Sequence, residues 1–193
     1  MLTPELLLAA YSQGIFPMAD DDGTIGWYEP TVRAIIPLEG FHAPRRLLRT
    51  VRSGRFEVRY DSAFAAVMRA CAMPGRGRET TWIGAEMIPA YVALHRMGYA
   101  HSVECWREGQ LVGGLYGVAI GGLFAGESMF HRERDASKVA LVHLVERLRR
   151  GGFVLLDSQY IVGDHMRQFG VIEITRAAYQ RRLQAALRVA ARF

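Results

Sequence analysis

Between Leu111 and Tyr160 the chain reads as a glycine-punctuated hairpin, a basic turn, an amphipathic helix and a last apolar strand. That order leaves few folds open, because a strand, a crossover helix and a parallel strand wind right-handedly in nearly every case. The strand before the helix ends near Glu127, and the strand after it ends in Asp157-Ser158-Gln159. In open α/β sheets the ligand crevice lies outside the carboxyl ends of such strands. Two carboxylates and a primary amide thus follow runs otherwise made of Phe, Val, Leu, Met and small residues. Acid side chains are seldom buried without a partner, so the pattern points to a reaction site at those strand ends.

A length of 193 residues suits one sizeable domain, or one domain with a small appendage. Half of the residues are hydrophobic and 22% are charged, which favours a packed core over disorder. The net charge of +5 favours an anionic partner, most simply nucleic acid. Arginine carries nearly all of the positive charge, and Lys138 is the one lysine. It stands in the first turn of the crossover helix, either as a place that prefers a compact ammonium or as a drifted surface residue. Cys71 and Cys105 read as reduced thiols of a cytoplasmic protein. Leu2 to Ala10 is apolar but has no basic leader and is too short to span a bilayer. Its Thr3-Pro4-Glu5 start is that of an ordinary helix. No cysteine–histidine spacing suggests zinc, so no metal is expected.

The remaining pattern is α+β. A helix over Thr3 to Gln13 closes at Gly14, and Arg33 to Pro37 reads as an extended connector. A soft boundary there sets a small N-terminal subdomain, residues 1–33, apart from a catalytic domain, residues 34–193. The first part is too short to build a core alone. A short helix from Pro44 to Val51 places Arg45, Arg49 and Arg52 on one exposed stripe. Asp61 or Ser62 caps a helix through Cys71, and a turn-rich loop with Arg76 and Arg78 follows. His101–Arg107, Gln110–Ile120 and Leu123–Phe130 form an antiparallel meander. Gly113, Gly114 and Gly117 inside the middle strand suggest a bulge, or close approach of a ligand or backbone. Asp135 caps the crossover helix, whose Leu141, Leu144, Val145 and Leu148 share one buried stripe. Val171–Ile174 is a further strand, and Thr175 caps a C-terminal helix.

A mixed sheet with a crossover helix is how the GNAT acyltransferase fold is built. Acetyltransferases of that fold place a glycine-rich turn before the crossover helix, where backbone amides hold a pyrophosphate. This chain has HRERDAS at 131–137, without glycine, so an acyl donor other than a coenzyme A thioester is expected. The segments YSQGIFPM at 11–18, TTWI at 80–83, GYAHSVECW at 98–106, LVGGLYGV at 111–118, LFAGESMF at 123–130, DASK at 135–138 and DSQ at 157–159 closely resemble the leucyl/phenylalanyl-tRNA–protein transferases. The resemblance covers nearly the whole chain.

It implies an enzyme that moves Leu or Phe, with Met a further possible donor, from aminoacyl-tRNA to proteins with an N-terminal Arg or Lys. That transfer marks the acceptors for degradation. It also implies that Glu127, Asp157 and Gln159 form the polar centre of the site. Leu115, Phe124, Met129, Leu141, Leu144 and Leu156 would line the pocket for the carried side chain, although the residues alone read more readily as plain core. Trp82 and Tyr91 would hold the terminal adenosine. Met18 stands where family members often carry tryptophan, with Trp27 a candidate substitute. Arg45, Arg46, Arg49, Arg52, Arg76 and Arg78, with Arg55, would track the tRNA through phosphate contacts. An aminoacyl ester is already activated, so no cofactor is expected, and the protein is expected to act as a monomer in the cytoplasm, away from membranes. Two other readings stay open. One is a conventional acetyltransferase, against which the missing glycine turn argues. The other is a non-catalytic RNA-binding module, which would not need three polar residues gathered at strand ends.

Overall fold

The computed structural model describes residues 2–74, 81–161 and 163–193. Helix α1 (Pro4–Tyr11) begins as its sequence dictates, with the Thr3 hydroxyl accepting the Leu6 amide at 3.2 Å. A two-stranded antiparallel hairpin follows, β1 (Phe16–Ala19) against β2 (Ile25–Tyr28). Next come β3 (Val32–Ile36), α2 (Arg45–Arg52), β4 (Glu57–Tyr60), α3 (Phe64–Ala72) and α4 (Met87–Arg96). The meander of β5 (Ala100–Arg107), β6 (Gln110–Ile120) and β7 (Leu123–His131) leads through α5 (Ala136–Arg150) to β8 (Leu155–Gln159). A 3-10 helix (Asp164–Phe169), β9 (Ile172–Thr175) and α6 (Arg176–Ala186) complete the order.

Seven of these strands form one sheet in the order β4-β5-β6-β7-β8-β3-β9. Its pairings are antiparallel except β7 with β8, the two strands joined through α5. The fold is therefore mixed α+β around a mostly antiparallel sheet. Residues 33–37 are not a connector: β3 lies inside the sheet between β8 and β9 and crosses the expected boundary at residue 33. Its Ala34, Ile35 and Ile36 are at most 2% exposed, a continuous apolar run of the kind that a strand with neighbours on both sides requires.

Helix α5 covers one face of the sheet. Leu141, Leu144, Val145 and Leu148 are buried there with Leu115, Phe124 and Leu156 of the strands. Burying each such side chain stabilises by about 1.5–3 kcal/mol, which makes the crossover one of the strongest packing seams. The other face carries α1, α3 and α4 through a second cluster that includes Tyr11, Phe64, Met87, Tyr91 and Tyr116. A third cluster joins Ile35, Leu123 and Leu155 to Tyr179 and Leu183 of α6.

The glycines of β6 do what their placement suggests. A Cβ on Gly113 would overlap Ala136 at the start of α5, and one on Gly117 would overlap the Phe124 ring and the Ala125 carbonyl. The β6–β7 register shifts between Tyr116 and Gly117, a β-bulge that leaves Glu127 unpaired opposite this pair. Thr175 caps α6 as expected, accepting the Ala178 amide at 3.2 Å. Two other caps differ from expectation. Neither Asp61 nor Ser62 supplies the cap of α3; the Glu104 carboxylate, reaching over from β5, accepts the Ser62 and Ala63 amides. Asp135 makes no capping bond: it has a left-handed backbone (φ 71°), and its carboxylate takes Arg46 at 3.1 and 3.2 Å.

Candidate active site

The parallel pairing of β7 with β8 covers three positions, Leu123 with Leu155, Phe124 with Leu156 and Ala125 with Asp157. Past Ala125 and Asp157 the two strands pair no further, and Glu127 and Gln159 meet across the resulting gap. The Gln159 side-chain amide donates to Glu127 Oε1 at 2.8 Å. Gln159 sits in the left-handed region at φ 61°, which costs a non-glycine residue about 1–3 kcal/mol and persists only where the surroundings enforce it. Asp157 enforces it, its Oδ1 accepting the Gln159 backbone amide at 2.8 Å. The three polar residues expected to form the centre are thus joined in one hydrogen-bonded chain.

Asp157 is fully buried and answered by Arg33, whose segment reads as a connector in sequence. Arg33 is 2% exposed and forks onto the carboxylate, with Nε to Oδ1 at 3.0 Å and Nη2 to Oδ2 at 2.6 Å. Its Nη1 donates to the Gly14 carbonyl at 2.8 Å, and its plane lies over the rings of Phe16 (4.7 Å) and Tyr179 (4.3 Å). The Tyr179 hydroxyl adds a third donor to Asp157 at 2.8 Å. Burial works against the charge on Arg33, but the hydrogen bonds and the charge of Asp157 outweigh it and hold the guanidinium protonated. Arg33 is hidden in sequence as one of many arginines; its one signal is a charge followed at once by Ala34-Ile35-Ile36, a sheet-core run.

Glu127 has no such counter-ion among the described residues. Burial raises its pKa to about 8, with the Asp157 charge adding to the rise and Tyr11, Arg33 and Gln159 drawing it down. Its Oε2 is buried and meets no described donor in hydrogen-bonding geometry, although the Tyr11 hydroxyl lies near enough to act on it. Tyr11 and Tyr91 share a 2.5 Å hydrogen bond beside it, and burial and the nearby Glu127 raise both phenol pKa values well above the ordinary value. At neutral pH Glu127 is therefore mostly a neutral carboxyl, and Asp157 is a charge already balanced.

The six apolar residues expected to line the pocket lie in one cluster beneath α5. Leu115, Phe124, Leu141, Leu144 and Leu156 are at most 3% exposed, and Met129 is partly exposed. In this conformation they are packed core, and a side chain entering the cluster must displace something, with Met129 the accessible edge.

The residues expected to hold adenosine separate into two groups. Met18 and Trp82 are both partly buried and lie together, since the Ala19 amide donates to the Trp82 carbonyl at 2.8 Å. Tyr91 is fully buried and presents no free ring face; burial leaves it beside Glu127 rather than as a surface platform. Trp27, 41% exposed, pairs with Pro17 one position from Met18.

On α2, Arg45, Arg49 and Arg52 line an open cleft of about 630 Å³ with Leu48. They make no ion pairs among the described residues, whereas Arg46 is tied to Asp135 and Arg55 to Glu133. Lys138 lies 3.9 Å from Asp135 in the same group. Arg76 and Arg78 lie outside the described residues. Among the described residues, no group of three His, Cys, Asp or Glu side chains could hold a metal ion, and no helix is long and apolar enough to cross a membrane.

Comparison with known proteins identifies the family. The leucyl/phenylalanyl-tRNA protein transferase profile matches residues 35–184, and the N-terminal domain profile of the same family matches residues 1–31. A leucyl/phenylalanyl-tRNA–protein transferase of Nitrobacter winogradskyi is 57% identical over 188 residues, 96% of this chain and 83% of that one. Those of Gloeobacter violaceus and Herpetosiphon aurantiacus are 55% and 56% identical over 193 residues, covering all of this chain and 97% and 98% of theirs. Among solved structures, L-PGS from Bacillus licheniformis is similar at TM-score 0.45 and 14% identity over 82% of this chain and 52% of that one; a likeness of that degree has no bearing on the site. The chain belongs to the leucyl/phenylalanyl-tRNA protein transferase family and is an aminoacyltransferase.

Proposed function

We propose that the protein transfers Leu or Phe, with Met a further donor, from aminoacyl-tRNA to the N-terminal Arg or Lys of acceptor proteins, marking them for degradation in the cytoplasm. The observation that supports this most is the Asp157–Gln159–Glu127 chain at the gap between β7 and β8. A non-catalytic RNA-binding module has no use for a strained glutamine held between two buried carboxyl groups.

The acceptor's α-amine, with an ordinary pKa of about 8, is about one-tenth neutral at pH 7, and the neutral form attacks the ester carbonyl carbon of the donor. The amide forms as the ester C–O bond breaks, and the proton lost by the amine ends on the ribose oxygen that leaves. Gln159 directs its amide N–H to Glu127, which leaves its carbonyl oxygen to accept from the amine and aim the lone pair. Asp157, fixed by Arg33 and Tyr179, holds Gln159 in that pose. Positioning and fixed dipoles are then the larger contributions, and no strong base or cofactor is needed. Because Asp157 is already balanced, an acceptor's cationic side chain finds one carboxyl to pair with, Glu127, and ionises it on arrival, the carboxyl proton passing to solvent. The donor side chain enters the cluster beneath α5 past Met129, the adenosine lies at Met18 and Trp82, and Arg45, Arg49 and Arg52 meet backbone phosphates. The same reading takes the sheet with its crossover helix as GNAT-like, residues 1–33 as a small subdomain, and the working unit as a monomer.

Purified protein with labelled Leu-tRNA or acetyl-CoA and a peptide beginning with arginine tests this directly. Label should pass from Leu-tRNA alone; transfer from acetyl-CoA alone, or from neither, refutes it. Asp157→Ala should cut transfer at least about a hundredfold, in the range of a lost positioning group, while tRNA affinity stays within about twofold. Equal loss of both would make Asp157 a folding residue only.

A further inference from the structure

At the end of α5 remote from Glu127, a second cleft of about 530 Å³ opens between the last turns of that helix, Tyr60 at the end of β4, and the segment that follows α6. Its centre is Arg147. The guanidinium is clamped over the Tyr60 ring at 4.3 Å and the Phe193 ring at 4.9 Å. Phe193 is itself fixed, stacked on His101 (4.2 Å) and Phe124 (5.6 Å), and the neighbouring Arg192 amide donates to the Gly151 carbonyl at 3.0 Å. Stacking leaves the edge of a guanidinium free to bind a planar or tetrahedral anion. Here Arg147 Nε is buried and has no hydrogen-bond partner among the described residues, an arrangement that is costly unless something supplies an acceptor.

The surroundings have the sign an anion needs. Arg150 and Arg192 line the same cleft, and neither they nor Arg147 form ion pairs among the described residues. By contrast Arg149, on the adjacent face, is satisfied by the Leu38 carbonyl. Glu146 is the one acidic side chain in the lining; it is half exposed and leans toward His143 at 4.0 Å. Burial, with Arg150 adding to it, lowers the pKa of His143, so near neutral pH its ring offers a hydrogen-bonding group without charge.

We propose that this cleft is a phosphate-binding site, and that the phosphate it takes is one of the donor's RNA backbone. Arg147 supplies the oriented fork, Arg150 and Arg192 the surrounding charge, and Tyr60 and Phe193 the rigid backing. The site is separate from the α2 stripe, so the RNA source rests on the aminoacyl-tRNA reading while the phosphate chemistry does not. A protein meeting RNA at both places would grip the body of the molecule and not only its charged end.

Uncharged tRNA binding, measured at several salt concentrations, tests the site without any need for transfer. The variants are Arg150→Glu with Arg192→Glu, both on exposed positions, and Arg147→Lys, which keeps the charge but removes the planar fork. For every phosphate that the variant no longer neutralises, the slope of log affinity against log salt should fall by about 1, so that the loss of affinity over a fourfold rise in salt should be about threefold smaller than in the wild type. Arg49→Glu with Arg52→Glu is the separate control on α2. Inorganic phosphate is then titrated against the wild type and the same variants, following the His143 ring by NMR; a bound anion should move its titration upward. Loss of tRNA affinity and salt slope in the cleft variants supports the proposal as stated. Saturable phosphate binding abolished by Arg147→Lys, with tRNA affinity unchanged, keeps the site but overturns its RNA source. Absence of both effects overturns the proposal. Should the α2 variant alone lose tRNA, the RNA source of the cleft fails while the proposed function stands; if neither variant affects tRNA, the donor contacts proposed for α2 fail as well.

Discussion

Replacing Glu127 by glutamine should make the protein more stable, by an amount that depends on pH in a defined way. The side chain is 9% exposed, and its pKa rises from the ordinary 4.5 to about 8, chiefly through burial. A rise of about 3.5 in pKa, at about 1.4 kcal/mol each, sets a ceiling of about 5 kcal/mol; water entering the site would reduce it to a few. The sign follows from proton binding. Below about pH 4.5 both folded and unfolded chains hold the proton, and Glu127 causes no loss. Between 4.5 and about 8 the unfolded chain releases the proton and the folded chain keeps it, so stability falls as pH rises. Above about 8 both are ionised and the loss is complete. The introduced amide can still accept from Gln159 and cannot ionise. Urea unfolding of wild type and Glu127→Gln from pH 5 to 9 should therefore show a gap that widens by up to about 1.4 kcal/mol per pH unit and levels off near pH 8. Transfer to an arginine peptide should fall over the same range, because the group that answers the acceptor's cation is gone. A gap that stays constant with pH would show that Glu127 is solvated enough to ionise normally, and the proposed role of its carboxyl would fail with it.

Arg33→Met should cost about 3–5 kcal/mol, because it strands the Asp157 charge in the interior; in urea unfolding, the double change Arg33→Met with Asp157→Asn should cost clearly less than the two single losses added. Additive losses would deny the coupling. Gly117→Ala should lower stability by about 1–3 kcal/mol, since its methyl would collide with the Phe124 ring and the Ala125 carbonyl; an unchanged melting temperature would contradict this. Met129→Ala should shift the ratio of phenylalanine to leucine transferred by about tenfold, the scale of a changed apolar neighbour, read by competition between the two charged tRNAs. No shift would place the donor's side chain elsewhere.

What sequence can and cannot show follows from the range of each interaction. The crossover is legible because its signals are local: Leu141, Leu144, Val145 and Leu148 recur at helical spacing, and Gly151-Gly152 ends the run. Thr3 and Thr175 are legible as caps for the same reason. Asp135 resembles a third cap but is captured by Arg46, 89 positions away, and the amides just before α3 are held by Glu104, which no local rule identifies. Strand β3 reads as a connector because its apolar run, Ala34-Ile35-Ile36, is only three residues long and abuts Pro37; its partners lie past position 155. The site shows the same division. Glu127, Asp157 and Gln159 stand out as polar residues ending apolar strands. Arg33, on which the charge balance depends, is marked only by the apolar run Ala34-Ile35-Ile36 that follows it, and Tyr179, its companion, gives no local sign. The burial of Tyr91 and the closed packing under α5 depend on tertiary contacts that composition does not encode.

The insertion of β3 between β8 and β9 also bears on how the chain is made. Arg33 and Asp157 are 124 positions apart, so at a synthesis rate of about 5–20 residues per second roughly 6–25 s separate their emergence from the ribosome. Through that interval an apolar strand with two unsatisfied edges, of a kind prone to pair with whatever is near, waits for its mates, and shielding it is a task for a chaperone until β8 and β9 emerge.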